Sequence, residues 1–339
     1  DGCAASDDEI KMTNNNKDLG LVVAALRHAA PYIRMYKRKT FIVKAGGELF
    51  LNEAKTRSLL EQIAILHQVG IRVVLVHGAA PADYLGLVEY FYGVRATLED
   101  RGVGVLAPVV DPFAGIDQRA AALAAVLDAE IGAGRARSFN LIAHSQGGLD
   151  ARYLVSTLGY GDRVASLTSI AVPHRGTAVA DAVNGLISLS PLDGWLIDAA
   201  ADAIASLLGF GDQDASSALE DMTTAATSAF NVANQDDPQV RYFSWAGRSC
   251  GLLEFGCQSD HNGEIVASYL AIPYTLLELT DGPNDGMVAV DSAIWGEYLG
   301  ELPADHMDQI GQIVDRTSSG FDHLGFFLDE ASRLRDLGL

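Results

Sequence analysis

The chain has 339 residues, 49% of them hydrophobic, and a formal net charge of −20. That length and apolar content can bury a full α/β core, while the charge argues against nucleic acid and anionic membrane surfaces as partners. Nowhere does an apolar run reach the roughly 18 residues of a transmembrane helix. The charge is unevenly placed. All six lysines (11, 17, 37, 39, 44 and 55) lie in the first 55 positions. Residues 1–70 carry 10 basic and 8 acidic side chains, and the remainder carries 14 and 36. Such a break in composition marks a domain boundary near residue 70.

Residues 1–19 read as a polar leader with the composition of disordered segments. The chain begins at Asp1 without a methionine, as a processed form would; Gly2-Cys3 as a lipoprotein anchor is the weaker reading, because Asp1 does not suit that pattern. Residues 20–70 hold an extension. Thr40 to Gly47 reads as a strand and glycine loop, Glu53 to Gln68 as an amphipathic helix ended by Gly70, and Ile71 to Val76 as a second strand, which together make a βαβ unit. The second strand runs into His77-Gly78-Ala79-Ala80-Pro81.

Phe139-Asn140-Leu141-Ile142 has the apolar character of a buried parallel strand, and Gly148 to Val155 reads as a helix. Ala143-His144-Ser145-Gln146-Gly147 joins them. Strand, tight turn with serine at its tip and helix make a nucleophile elbow. The elbow needs small residues two before and two after the serine, because the strand and helix backbones pass close together; Ala143 and Gly147 fill those places. The helix N-terminus then aims free N–H groups at the point where an oxyanion forms.

Residues 179–237 follow as a long segment. Trp195, Ile197, Ala200, Ile204, Leu207 and Leu208 recur in it at helical spacing, as in a lid with an apolar underside or an ordinary core-facing helix. Cys250 and Cys257 bracket a short loop; a disulfide there would contribute about 2.5 kcal/mol by loop entropy and suits secretion, with free thiols as the alternative.

A nucleophilic serine needs a base, and the base needs an orienting carboxylate, in the chain order Ser, acid, His. His261 precedes the better acids, and His323 sits in a helical-looking segment, which leaves His306, on a loop just before a helix. Asp285, in a turn after an apolar strand, is the preferred acid, with Asp281 and Asp291 as rivals. Asp308 and Gln312, four apart at the expected helix start, share a face, and with a second carboxylate they make an oxygen set suited to Ca²⁺.

From about Val74 to Leu339 the chain resembles the secreted, calcium-binding bacterial triacylglycerol lipases of lipase family I. The likeness rests on Val74-Leu-Val-His-Gly78, Asn140 to Gly148, Val164 to Gly176, Tyr242 to Gly247, Asn284 to Val288 and Asp305 to Gln312. It implies an α/β-hydrolase fold, a mostly parallel sheet with helices on both faces and a helical lid over residues 179–237. It also implies a Ser145–Asp285–His306 triad and an oxyanion hole built from the Ala79 and Gln146 amides. Ca²⁺ on Asp308, Gln312 and Glu264 (Asp260 in reserve) would pin the histidine loop. The implied substrate is an acyl-ester lipid at a lipid–water interface; secretion, a lipase-specific folding chaperone and a monomeric state go with it. Carboxylesterase or polyester depolymerase activity would use the same triad. One departure stands out: Pro81 occupies a place where the family usually has glycine, and proline there restricts the oxyanion loop, as in a catalytically impaired fusion.

Residues from about 26 to 78 resemble the first βαβ of acetylglutamate kinase and synthase, through Ala30-Pro-Tyr-Ile33, Lys39 to Gly47 and Gly70 to Gly78. In the kinases Lys44 would face phosphates, but the glycine run after His-Gly is lost and the ATP-binding half has no counterpart. The extension is therefore expected to contribute no chemistry.

Overall fold

The structure is a computed structural model that describes residues 71–78, 89–185, 216–251, 264–312 and 320–339, together with Ala199 and Cys257. The chain divides into two units, Asp1–Gly70 and Ile71–Leu339. Every described residue belongs to the second; the leader, Lys44 and most of the kinase-like stretch lie outside the described residues.

Six parallel strands form one sheet in the order β2-β1-β3-β4-β5-β6. They are β1 (Ile71–Val76), β2 (Val105–Leu106), β3 (Ser138–His144), β4 (Val164–Ile170), β5 (Arg241–Gly247) and β6 (Glu297–Leu302). Between β1 and β2 lies α1 (Val94–Asp100), between β2 and β3 α2 (Ile116–Gly132), and after β3 α3 (Gly147–Ser156). Then come α4 (Ala178–Val183), α5 (Ser216–Asp221) and α6 (Thr224–Ala233) before β5, and α7 (Ala271–Thr280) and α8 (Val290–Ala293) before β6, with α9 (His323–Asp336) closing the chain.

Alternation along the strands builds the core. On β1, Val74 and Val76 join Leu141 and Ala143 of β3 in packing on one side with Leu123 and Leu127 of α2 and Leu154 of α3. Val73, Leu75 and Ile142 face the other side, against Leu98 of α1 and Phe327 and Leu334 of α9. Helices therefore cover both faces, as an all-parallel sheet requires. The chain runs outward from β1 to β2 and then crosses back over β1 to β3, so the crevice at the strand C-termini opens between β1 and β3.

Two elements differ from the sequence reading. The apolar stretch before Asp285 is the helix α7, not a strand: its burial recurs at Pro273, Tyr274, Leu276 and Leu277, a helical stripe that a strand period would not produce. The segment after His306 is a 3₁₀ turn, Asp308–Ile310, ended by Gly311 at φ 75°, so Asp308 and Gln312 do not share an α-helical face.

The flanks of the 179–237 segment are part of the domain body. Asp181 of α4 accepts from the N–H and the hydroxyl of Thr224 at 2.9 and 2.8 Å, and buried Arg152 of α3 donates to Asn231 Oδ1 at 2.7 Å and to the Asn234 carbonyl at 3.1 Å. Residues 186–215, Ala199 apart, lie outside the described residues.

The turn after β3 depends on Gly147. A Cβ there would sit 2.6 Å from the carbonyl oxygens of both Val76 and His77. Those oxygens belong to β1 and its exit, which cannot retreat. Gly147→Ala should therefore cost about 1–3 kcal/mol of stability, read as a lowered denaturant midpoint; an unchanged midpoint would show that the turn yields.

Candidate active site

Ser145 stands at the tip of the β3–α3 turn with φ 56°, in the left-handed region that a non-glycine residue rarely occupies. Its N–H donates to the Ile170 carbonyl at 3.0 Å, and its own carbonyl accepts from Gly148 N–H at 3.0 Å, so both sides of the strained residue are tied down. Gly78 leaves the room in front of it: a Cβ at 78 would come within 2.7 Å of both Ser145 Cβ and the Tyr90 hydroxyl.

Around this turn the structure brings together the three residues singled out from the sequence. His306 Nε2 lies 3.1 Å from Ser145 Oγ, and His306 Nδ1 lies 2.9 Å from Asp285 Oδ2. The backbone repeats the pairing, with His306 N–H donating to the Asp285 carbonyl at 2.9 Å. Asp285 is fully buried, and Oδ1 is held in its own turn by the N–H groups of Met287 at 3.0 Å and Val288 at 2.8 Å. Chemically, the array can take the proton from Ser145 onto His306 while an orienting carboxylate stabilises the cation that results. Asp281 ends α7 and Asp291 lies in α8, so the rivals are placed on helices while Asp285 meets the imidazole. His323 begins α9 and pairs with the Tyr92 carbonyl at 2.9 Å, a structural position. His261 lies outside the described residues.

Gln146 is the N-cap of α3, so its N–H stands outside the helical hydrogen-bond ladder, where an oxyanion donor is needed. Ala79, the other expected donor, and Pro81 lie outside the described residues. The root of their loop is firmly anchored. Buried Arg119 of α2 donates to the His77 carbonyl at 2.7 Å, the Asp111 carbonyl at 2.9 Å and Asp150 Oδ2 on α3 at 2.8 Å. His77 Nδ1–H donates to the Gly78 carbonyl at 2.7 Å, and Nε2 accepts from Val110 N–H at 2.9 Å. Sequence reading missed this brace, because Arg119 reads as an ordinary charged residue on an amphipathic helix.

An apolar pocket opens in front of Ser145 and His306. Its walls include Val179 and Ala180 of α4, Leu219 of α5, and Met222, Met287 and Met307. Unbranched methionine side chains adapt to flexible apolar ligands.

The expected metal ligands lie apart from the reacting atoms. Glu264 has one carboxylate oxygen buried without a partner, and its carboxyl is pushed up to about 7 by burial, then by the charges of Asp308 and Asp305. Gln312 donates its amide to the carbonyls of Glu89 at 2.6 Å and Tyr90 at 3.0 Å. Among the described residues no group of three or more His, Cys, Asp or Glu side chains stands close enough to hold an ion alone. Asp260 lies outside the described residues. Cys250 and Cys257 form a disulfide, and Cys250 hydrogen-bonds on either side of Ile265.

Comparison with solved structures matches this architecture to a metagenomic carboxyl esterase at a TM-score of 0.59 and 22% identity, over 80% of this chain and 77% of the other. The unit from Ile71 is an α/β-hydrolase. A family model for palmitoyl protein thioesterase matches residues 95–235, a span that contains the hydrolase elbow. "Triacylglycerol lipase 2" of Saccharomyces cerevisiae is 33% identical over 231 residues, 66% of this chain; the chain spans 62% of that relative's length. The triacylglycerol lipase of Pseudarthrobacter phenanthrenivorans is 28% identical over 311 residues, covering 79% of this chain and 97% of the relative. A short N-terminal region matches an amino-acid acetyltransferase of Shewanella oneidensis, 42% identical over 85 residues, which are 23% of this chain and 19% of that one. Most of the chain is thus similar to triacylglycerol lipases, and a short N-terminal region is similar to acetylglutamate kinase and acetyltransferase sequences.

The anchored His77 yields a pH test of the hydrolase. Burial, then the charge of Arg119, lowers its pKa to about 4. A neutral His77 therefore contributes stability that is present above its unfolded pKa near 6.5 and lost as pH falls through its folded value. The stability advantage of wild type over His77→Gln should shrink by about 2 kcal/mol between about pH 7 and about pH 4.5. A constant gap across that range would contradict a neutral, buried His77.

Proposed function

We propose that this hydrolase cleaves carboxylic esters of long-chain acyl lipids, as a triacylglycerol lipase, through an acyl-enzyme on Ser145. The observation that carries the reading is a Ser–His–Asp hydrogen-bonded array opening directly onto an apolar, methionine-lined pocket. The names of the relatives agree with it.

Ser145 Oγ attacks the ester carbonyl as His306 Nε2 takes its proton, and the Asp285 carboxylate holds the imidazolium by Nδ1. The Gln146 N–H, with a second amide at Ala79, receives the oxyanion. His306 then gives its proton to the departing alcohol oxygen. Water, deprotonated by the same imidazole, attacks the acyl-enzyme and releases the fatty acid. The apolar walls hold the acyl chain. Secretion and a monomeric form belong to this reading; the Cys250–Cys257 disulfide fits an oxidising compartment. The amino-terminal extension takes no part in the chemistry.

Ser145→Ala should lower turnover about a million-fold while the fold is kept, and Asp285→Asn about ten-thousand-fold. A fluorophosphonate probe should label wild type at Ser145 alone. Wild-type turnover in Ser145→Ala would end the reading. A chain-length series of p-nitrophenyl esters separates lipase from carboxylesterase: rates that rise to long acyl chains are expected, and a preference for acetate would favour the esterase.

Calcium belongs to the proposal as structural support. The donor set fits it: a partnerless Glu264 oxygen beside the Asp308 charge is relieved by a divalent cation, with the Gln312 amide oxygen and backbone carbonyls as neutral ligands. An ion there would steady the His306 turn and take no part in bond making. Chelation should lower the melting temperature by roughly 5 to 10 °C if the ion is present at about a hundred times its Kd, and Asp308→Ala should abolish that sensitivity. Identical melting curves with and without chelator would refute the site.

A further inference from the structure

The Asp285 carboxylate accepts four hydrogen bonds, and the fourth has no place in the triad. Oδ1 receives two backbone N–H groups of its own turn. Oδ2 receives His306 Nδ1–H, and beside it the side-chain amide of Gln309, whose Nε2 lies 2.9 Å away. His306 and Gln309 are three residues apart across the tight turn that enters the 3₁₀ segment, so both side chains return to the same carboxylate oxygen. Space for the amide comes from Gly247 at the end of β5: a Cβ there would collide with Gln309 Nε2 and lie 2.8 Å from Asp285 Cβ.

The other end of the amide has a counterpart as well. Gln309 Oε1 and His144 Nε2 are both buried, and neither has a partner at full hydrogen-bond distance. They are complementary, and His144 has the His306 backbone, then the Gln309 side chain, as acceptors beside it. His144 Nδ1 lies 2.8 Å from the Tyr90 hydroxyl. With Tyr90 O–H donating to Nδ1, the ring proton resides on Nε2, on the side of those two acceptors. That places the amide oxygen towards His144 and its N–H towards Asp285. A flipped amide would set an oxygen against the carboxylate and lose both interactions.

We propose that Gln309 is a positioning residue of the triad, holding the Oδ2 edge of Asp285 against His306, with Tyr90 and His144 dictating which end of its amide meets the carboxylate. Four N–H donors surround the carboxylate and leave it one available orientation. His144, whose ring centroid lies 4.5 Å from that of His306, must stay neutral when His306 becomes a cation. Complete burial, then the His306 charge, holds its pKa well below the ordinary histidine value. The inference rests on the hydrolase reading of Ser145, Asp285 and His306.

Gln309→Met keeps the volume and removes both hydrogen-bonding ends. On a soluble p-nitrophenyl ester it should lower kcat about tenfold or more, with KM within twofold, because a hydrogen bond to a charged group is lost where charge develops. In an Asp285→Asn background the same substitution should change kcat less than twofold, since Gln309 acts through the carboxylate. If Gln309→Met does not accumulate as folded protein, Gln309→Asn, which draws the amide back by one methylene, should show the same split. A kcat within twofold of wild type in a folded variant overturns the proposal. So does an equal loss in the Asp285→Asn background, or a loss that resides in KM. Wild type itself separates the two levels: if it neither turns over the ester nor takes the fluorophosphonate label, the hydrolase reading fails and this inference with it. A normal wild type with an indifferent Gln309 sinks the inference alone.

Discussion

Everything in the site depends on one strained residue. Ser145 holds a left-handed backbone between a strand and a helix, and a conformation of that kind costs on the order of 1–3 kcal/mol unless its surroundings impose it. The surroundings do so by closeness. Gly147 lets α3 meet the carbonyls at the end of β1, Gly78 lets β1's exit pass under the serine, and Gly148 accommodates Val172 just after β4. Any added methyl group at these points meets backbone or a packed side chain. The strain projects Oγ out of the sheet edge and towards His306, and it leaves the first N–H of α3 facing the same space.

The electrostatic design follows from burial. A carboxylate with no solvent exposure can remain charged only where N–H groups replace its water. Asp285 has four such donors, two from its own turn and two from the His306 loop. The histidines around the site are handled in the opposite way. Burial, aided by the charge of Arg119 at His77 and of His306 at His144, lowers the pKa of both rings. Farther out, burial and then the charges of Asp308 and Asp305 push the Glu264 carboxyl up to about 7.

The amino-terminal stretch raises a different question. Its sequence relatives belong to the acetylglutamate kinase and acetyltransferase group, and the break in lysine content falls with the boundary at Gly70. Within the second unit, β1 lies between β2 and β3 in the sheet.

How much could be read from residues alone varied with the range of the interaction. The elbow was legible because its constraint is local: small residues at fixed offsets around Ser145, an apolar run before it and a helical pattern after it. Strand β1 was legible over Ile71–Val76 for the same reason. His306 and Asp285 followed from chain order and from turn-forming neighbours, though the segment before Asp285 was misread as a strand, since a short apolar run has no period of its own until a partner surface selects one face. The helix expected at Asp308 tightened into a 3₁₀ turn because the Asp305 carboxylate takes the N–H groups of Met307 and Asp308 and Gly311 turns left-handed behind it. Gln309, Tyr90, His144 and Arg119 carried no sequence signal as a set. They stand far apart along the chain, and their roles arise from hydrogen bonds between side chains that only the packed sheet brings within 3 Å. The chemistry was written in the local spacing of the sequence; the tertiary structure decided how that chemistry is held in place, because orientation is set by contacts that no spacing along one strand or helix encodes.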